Sequence, residues 1–442
     1  MGRKRSRTPV PRPFKAVIPK MLRAHYLIET PLNPAHVADV LAGEQSSGTF
    51  VRVAGETEAL RIRSRASVVS LQELEPLLAP SLPSAWLTRR GVGGPWRRAR
   101  IAVDFPLANI GRNLPTLWAT VAGNLFDLGE TTGLRLERLE IPTELRARFE
   151  NPNHGVTGTR RIAGVANGPL VGTIIKPNVG LSAEETGALV ADLCRAGVDF
   201  IKDDECCGDP EHAPIADRIR AVMAAVRAHL DATGKQVIVA MNISDEHDEM
   251  LRHAELLQRE GGTSAMVSMN WTGPSSVQAL RRHTDLILHG HRNGFGMFAR
   301  HAALGMDFQP YSALWRLTGV DHMHVHGLAG KFAQDEDEVK KSAHDCLAPI
   351  SSGGDLNDIV MPAFSSGQWA GTLPQTLDTV PSGDLLFMCG GGILAHPQGP
   401  AAGVASVRQA WDAWREGRTL AAAATDAPAL RAALDFFDRP KV

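Results

Sequence analysis

The chain has 442 residues, enough for about two to three domains at roughly 150 residues apiece. Hydrophobic residues make up 43% and charged residues 21%, an ordinary soluble globular composition, and the net charge of -1 removes the grounds for nucleic acid or an anionic membrane as a bulk partner. Five scattered cysteines form no disulfide framework and fit a reducing, cytoplasmic setting, and no apolar run approaches the roughly 18 residues of a membrane span.

Residues 1–23 are basic and rich in proline, with no apolar segment behind them, so they read as a disordered tail rather than a signal peptide. Residues 24–150 read as a smaller α+β domain of ferredoxin-like kind. A strand is expected at 25–29 and a helix at 33–46, with Val37, Val40 and Leu41 on one face. Alternation at 49–56 and 67–74 predicts strand edges, 101–106 a further strand, and 114–126 a helix.

From residue 151 to 442 strands and helices alternate. Strands are expected at 170–175, 198–202, 237–242, 265–269, 285–289, 321–325, 358–363 and 385–389. Ser182 and Glu185 form a capping box that opens one helix, and Ile215, Ile219, Val222, Met223, Val226 and Leu230 make a core-facing helical stripe. Eight βα repeats over about 250 residues predict a C-terminal (β/α)8 TIM barrel, giving an α/β fold class; an open doubly wound sheet is the alternative. A barrel gathers chemistry at the carboxyl ends of its strands. Those ends carry Lys176 and Asn178; Lys202, Asp203, Asp204 and Glu205; Asn242; His289, His291 and Arg292; His322 and His324; Ser365 and Ser366; and Gly390 to Gly392.

The densest of these is Gly197-Val198-Asp199-Phe200-Ile201-Lys202-Asp203-Asp204-Glu205. An apolar strand runs into three consecutive carboxylates with a lysine before them. Clustered carboxylates repel one another, and either solvent at an acidic turn or a hard divalent cation relieves that. The lysine is either an ion-pair partner or an amine desolvated enough to react. Cys206 and Cys207 follow directly, too close together for zinc spacing.

The pattern Gly-x-Asp-Phe-x-Lys-Asp-Asp-Glu resembles the signature of RuBisCO and the RuBisCO-like proteins. In that family the lysine takes up CO2 as a carbamate, which binds Mg²⁺ together with the second aspartate and the glutamate. The resemblance implies Mg²⁺ on carbamylated Lys202, Asp204 and Glu205. It also implies a proton-handling role for Lys176, a catalytic position for His291, and contact between Lys331 and the reacting carboxylate. Gly327 and Gly330 lie in the Lys331 loop, which suits a mobile loop closing over substrate. Arg292, His324 and Ser366 correspond to residues holding one phosphate of the family's bisphosphate substrate, with Arg292 giving a forked contact. Gly390 and Gly391 let backbone N–H groups approach an anion after the last strand, a usual phosphate position in such barrels.

The stretch Gly43 to Phe50 resembles the family's Glu-Ser-Ser-Thr-Gly-Thr-Trp loop, and Ala122 to Phe126 its Gly-Asn-x-Phe turn. Through these, Glu44, Thr49 and Asn124 are expected to serve a neighbouring subunit's site, so a homodimer is the minimum unit. Four departures stand out: Asn178 replaces a lysine, Phe295 a histidine, Phe50 a tryptophan and Gln368 a glycine. Losing a lysine and a histidine argues against carbon fixation. The expected function is decarboxylation of 3-oxo-isoapionate 4-phosphate through an enediolate. The alternatives are an enolase or isomerase of a methylthio-pentulose phosphate in methionine salvage, and a non-catalytic regulatory relative.

Overall fold

Alternate residues of the first strand, Leu22, Ala24, Tyr26 and Ile28, are buried, so one face of it must be covered. In the computed structural model, described over residues 20–48, 53–351 and 358–438, that strand, β1 (Met21–Thr30), lies inside a mixed sheet. Its companions are β2 (Ser67–Leu77), β3 (Trp96–Pro106) and β4 (Gly133–Glu140), in the antiparallel order β4-β1-β3-β2. This is the ferredoxin-like arrangement expected, and the helix Pro34–Glu44 packs across it.

Local departures have simple causes. Residues 21–23 belong to β1 and not to a tail, because Leu22 is a core residue. Of the strand expected at 49–56, residues 49–52 lie outside the described residues. Residues 53–56 close a turn through Glu56 N–H to the Val53 carbonyl, and Thr57 then caps the helix Glu58–Ser64. The helix expected at 114–126 stops at Ala122, and a 3-10 turn covers Asn124–Asp127.

The remaining strands are β5 (Leu170–Ile174), β6 (Phe200–Lys202), β7 (Ile238–Asn242), β8 (Ser264–Ser268), β9 (Ile287–His291), β10 (Leu304–Met306), β11 (His322–His324), β12 (Met361–Phe364) and β13 (Leu386–Met388). All but β10 form a closed parallel barrel in chain order, with β13 paired back to β5. These are the eight strands expected, and the open-sheet alternative falls with the closure. Leu170, Phe200, Ile238, Met266, Met361 and Leu386 fill the interior near the strand starts. The helix Gly155–Ala163 closes that end, with Val156 in the same cluster. The other end, where β-strands run into loops, is left as the mouth.

β10 leaves the barrel altogether. It pairs in parallel with β4 and so adds a fifth strand to the N-terminal sheet. Arg135 of β4 donates to the Asp307 carboxylate at 2.7 Å and to the His301 and Leu304 carbonyls. Trp118 and Trp315 meet edge to face across the same junction, 5.4 Å apart. No helix among the described residues is long and apolar enough to cross a membrane.

Candidate active site at the barrel mouth

Residues two apart on a strand share a face, so Phe200 and Lys202 both point into the barrel. Phe200 joins the interior cluster, and Lys202 sits above it, only 2% exposed. Its ammonium donates to Glu205 Oε2 at 2.9 Å and has Met266 Sδ at 3.5 Å. Burial alone would raise the Glu205 carboxyl, but the Lys202 charge and hydrogen bond bring it down to about 2. His291 ends β9 with Nε2 at 3.6 Å from Glu205 Oε2. Burial and the Lys202 charge press His291 down to about 3, so the ring is neutral.

The three carboxylates divide. Asp203 turns inward, where Arg218 donates to its Oδ2 at 2.8 Å and the Asp204 and Asn242 N–H groups reach its two oxygens. Burial raises the Asp203 carboxyl, and the Arg218 charge opposes that rise. Asp204 and Glu205 remain for the mouth. Asp204 Oδ2 accepts from Lys176 at 2.7 Å, and its Oδ1 accepts the Cys206 N–H. Lys176 also donates to Asn178 Oδ1 at 2.6 Å. A lysine at 178 would set two ammonium groups side by side; asparagine makes the neighbour an acceptor.

Arg218 was not anticipated from the sequence. It is fully buried, and donates to the Ala213, Cys207 and Gly208 carbonyls as well as to Asp203, fixing the whole loop after β6. The available signal was an arginine set between Ile215, Ile219 and Val222 on the buried face of one helix.

Across the mouth, Arg292 is 2% exposed. Its guanidinium lies over Phe295 at 4.6 Å and Phe308 at 4.9 Å, and Nη2 donates to Gln334 Oε1 at 2.7 Å. Burial lowers its pKa only to about 10, so it stays charged at neutral pH. Among the described residues its Nε and Nη1 are buried without partners, as is Ser366 Oγ, a condition shared by Arg218 Nε and Arg281 Nε elsewhere. Such donors call for a water, an ion or a ligand. Phe295 thus acts as a cushion under Arg292 in the position where a histidine was the family pattern.

His324 is engaged within the protein. Its Nδ1 lies 3.0 Å from Ser365 Oγ and its Nε2 2.7 Å from His289 Nε2, so both ring nitrogens are taken. The chain continues from His289 to His322 and on to Thr159, whose hydroxyl is given to the Gly155 carbonyl. Burial holds all three rings neutral. His324 therefore meets an anion only by giving up Ser365 or His289.

Lys331 stays on an exposed loop with its ammonium 5.4 Å from the Phe332 ring centre, and hydrogen-bonds none of the carboxylates among the described residues. Gly390 lies under Ile174, and a Cβ on Gly391 would meet nothing, so the backbone there is open to a ligand. Glu44 and Asn124 are exposed on the N-terminal domain. With the Gln45 amide turned to satisfy both its ends, it bridges them by accepting the Asn124 and Leu125 N–H groups. Thr49 lies outside the described residues.

Two other features are less suited to catalysis. Asp209, Asp245 and His253 have ligand atoms within 4.8 Å of one another, but Asp245 already pairs with His253 and Asp209 caps the Ile215 N–H. A cavity of about 880 Å³ lies between β4 and residues 341–351 and shares no residue with the mouth. The mouth is marked instead by convergent buried charges.

Removing Arg218 leaves Asp203 buried and unpaired. Arg218→Ala should cost about 3–5 kcal/mol in urea unfolding, and the double change Arg218→Met with Asp203→Leu should cost less than that single change. A loss below about 1 kcal/mol for the single change would contradict the structural role.

Comparison with known proteins agrees with this arrangement. Residues 155–437 match the family described as ribulose bisphosphate carboxylase large chain, catalytic domain, and residues 22–145 match its N-terminal domain. The chain is 44% identical to a 3-oxo-isoapionate-4-phosphate transcarboxylase/hydrolase of Xanthobacter autotrophicus, covering 94% of this chain and 98% of the relative. It is 40% identical to a 3-oxo-isoapionate-4-phosphate decarboxylase of Rhizobium rhizogenes, again over 94% and 98%. The crystal structure of a rubisco-like protein from Burkholderia fungorum superposes with a TM-score of 0.89 at 62% identity, over 94% of this chain and 99% of that one. The barrel, its ferredoxin-like companion and these matches together place the chain in the RuBisCO large-chain family.

Proposed function

We propose that the protein is a Mg²⁺-dependent decarboxylase of 3-oxo-isoapionate 4-phosphate that does not fix carbon. The observation that carries the reading is that Arg292 Nε and Nη1 and Ser366 Oγ, at the carboxyl ends of β9 and β12, are buried without partners among the described residues, while β6 ends in the Lys202–Glu205 pair. Together they suit an anion beside a charged reaction centre. The names of the 44% and 40% identical relatives supply the substrate.

Lys202, Asp204 and Glu205 fit Mg²⁺ once CO2 has added to the lysine. The ammonium gives up one proton, the free amine adds CO2 and releases a second, and the side chain then ends in a carboxylate, so the donor set would become all oxygen, as a hard cation requires. The ion supplies positive charge beside the oxygen that becomes anionic as the carboxylate leaves.

The chain's own residues then divide the work. Arg292 and Ser366 hold the phosphate, with His324 as the wall beside them; the open backbone at Gly390 and Gly391 is the alternative phosphate position. Lys331 meets the departing carboxylate from its loop. The bond to the carboxyl carbon breaks, CO2 leaves, and the electron pair passes into the enediolate. Lys176, held by Asp204 and Asn178, gives its proton to the carbon. Neutral His291 offers a ring nitrogen to a substrate hydroxyl. Asn178 and Phe295 stand where lysine and histidine would serve carboxylation, which supports a non-fixing enzyme.

A second reading, carboxylate transfer with hydrolysis, is favoured by the name of the 44% identical relative. Both readings share substrate and site. Purified protein with Mg²⁺ and bicarbonate, given 3-oxo-isoapionate 4-phosphate in ¹⁸O-water, should release CO2 and form a product carrying no label in a new carboxylate. Lys202→Ala should lose this by roughly 10²-fold or more. Label in a new carboxylate would move the protein to the hydrolytic reading. Turnover of a methylthio-pentulose phosphate to an isobaric product, with none of this substrate, would contradict both.

The reading includes a homodimer. Val179, Trp271, Met297 and Phe332, on the loops and short helices that follow β5, β8, β9 and β11, are large apolar side chains left 49–74% exposed. The N-terminal domain of a second copy, bringing Glu44, Thr49 and Asn124, is the proposed cover. Sedimentation during turnover should show no active monomer.

A further inference from the structure

Three histidines run through the barrel interior in a single file of hydrogen bonds. His324 Nδ1 lies 3.0 Å from Ser365 Oγ, and its Nε2 lies 2.7 Å from His289 Nε2. His289 Nδ1 lies 3.2 Å from His322 Nδ1, and His322 Nε2 lies 2.7 Å from Thr159 Oγ1. Thr159 sits on the helix Gly155–Ala163 at the floor of the barrel, and its Oγ1 is 2.5 Å from the Gly155 carbonyl oxygen. All five residues of the file are buried, and Phe200 packs against the His289 and His322 rings.

Each link holds one hydrogen, and the floor decides on which side it lies. A carbonyl oxygen only accepts, and two oxygens 2.5 Å apart need a hydrogen between them, so the Thr159 hydroxyl is given to Gly155. Thr159 Oγ1 then accepts, which puts the His322 hydrogen on Nε2. The ring is neutral, so its Nδ1 accepts from His289 Nδ1. The same count passes up the file. His289 Nε2 accepts from His324 Nε2, and His324 Nδ1 accepts the Ser365 hydroxyl. The floor end is also the anchored end: Asp321 Oδ1 accepts the His154 and Gly155 N–H groups, and Arg281 donates to its other oxygen at 3.0 Å.

We propose that Thr159 is a positioning residue that sets the tautomer of His324 from the barrel floor and so makes Ser365 a hydrogen-bond acceptor for a substrate hydroxyl. Ser365 follows Met361 and Ala363 on the inward face of β12. With its own hydrogen spent on His324, it meets a ligand through lone pairs alone, which take an O–H and turn away a phosphate oxygen. Ser366, the next residue, has an Oγ without a partner among the described residues, so its hydroxyl remains for an anion. The two serines thus divide a phosphorylated polyol between them. The role toward substrate rests on the preceding reading, and the tautomer pattern does not.

The test is solid-state ¹⁵N NMR of the full chain labelled on histidine. Protonated and unprotonated nitrogens of a neutral ring resonate far apart, and nitrogen–nitrogen coupling across the two ring-to-ring bonds picks out the three rings. Wild type should carry hydrogen on His324 Nε2, His289 Nδ1 and His322 Nε2. Thr159→Val removes the acceptor at the floor and should reverse or mix that pattern, Thr159→Ser should keep it, and Ser365→Ala should keep it too. With 3-oxo-isoapionate 4-phosphate, kcat/KM should fall about fivefold or more in Thr159→Val, mainly through KM, and return in Thr159→Ser. A reversed pattern in wild type, a reversal in Ser365→Ala, or an unchanged pattern in Thr159→Val would each overturn the inference. If the valine variant does not fold, the wild-type and Ser365→Ala spectra still decide it. A changed pattern with wild-type kinetics would remove the role of Ser365. Wild type that turns over none of this substrate would remove the preceding reading and that role together, while the spectra alone decide the tautomer.

Discussion

A positive charge buried at the end of β6 governs the rest of the mouth. An ammonium inside a barrel costs several kcal/mol unless it is paired or chemically changed. Lys202 has one carboxylate partner, Glu205, and a thioether on another side. Its neighbours answer to that charge: Glu205 is held ionised, and His291, His289 and His324 are all pressed toward neutrality, burial being the larger cause for each ring. The ion pair with Glu205 offsets that cost, so any reaction that removes the lysine's charge has to be answered by another cation. Conversion to a carbamate would leave three oxygen donors where an ion pair had been, and a divalent cation would then neutralise them.

The two sides of the mouth use burial differently. On the carboxylate side, a structural arginine, Arg218, takes Asp203 out of play and stiffens the loop that aims Asp204 and Glu205. On the anion side, Arg292 is buried over two aromatic rings with donors to spare. Both arginines keep a buried Nε without a partner among the described residues, but Arg218 gives its other donors to Asp203 and three carbonyls, whereas Arg292 leaves Nη1 without a partner as well.

Much of this was legible in the sequence, for a physical reason. Parallel barrel strands are buried on both faces and read as apolar runs, so all eight were visible, and barrel geometry then put their terminal residues at one end. That geometry, with the family resemblance, singles out Lys202, Asp204 and Glu205 and the set Arg292, His324 and Ser366 as candidates. What stayed hidden depends on distant partners. β10 is three residues long and exists only because it pairs with β4. β4 itself is interrupted by a bulge that leaves Glu137 without a counterpart in β1. The alternation at 49–56 looked like a strand, yet its described residues turn into a helix cap. His324 was recognisable as a strand-end histidine, but its engagement by His289 and Ser365 appears only when three barrel strands are laid side by side. Gln368 looked like a mere departure from the family glycine until Gly327 was found to make room for it.

Lys202 becomes a metal ligand, on the proposed mechanism, by taking up CO2. Calorimetric titration of Mg²⁺ into the protein, with and without bicarbonate, measures this without reference to any substrate. Bicarbonate should tighten Mg²⁺ binding by about tenfold or more in wild type, and not at all in Lys202→Ala. Equal Mg²⁺ affinity in wild type with and without bicarbonate would contradict it.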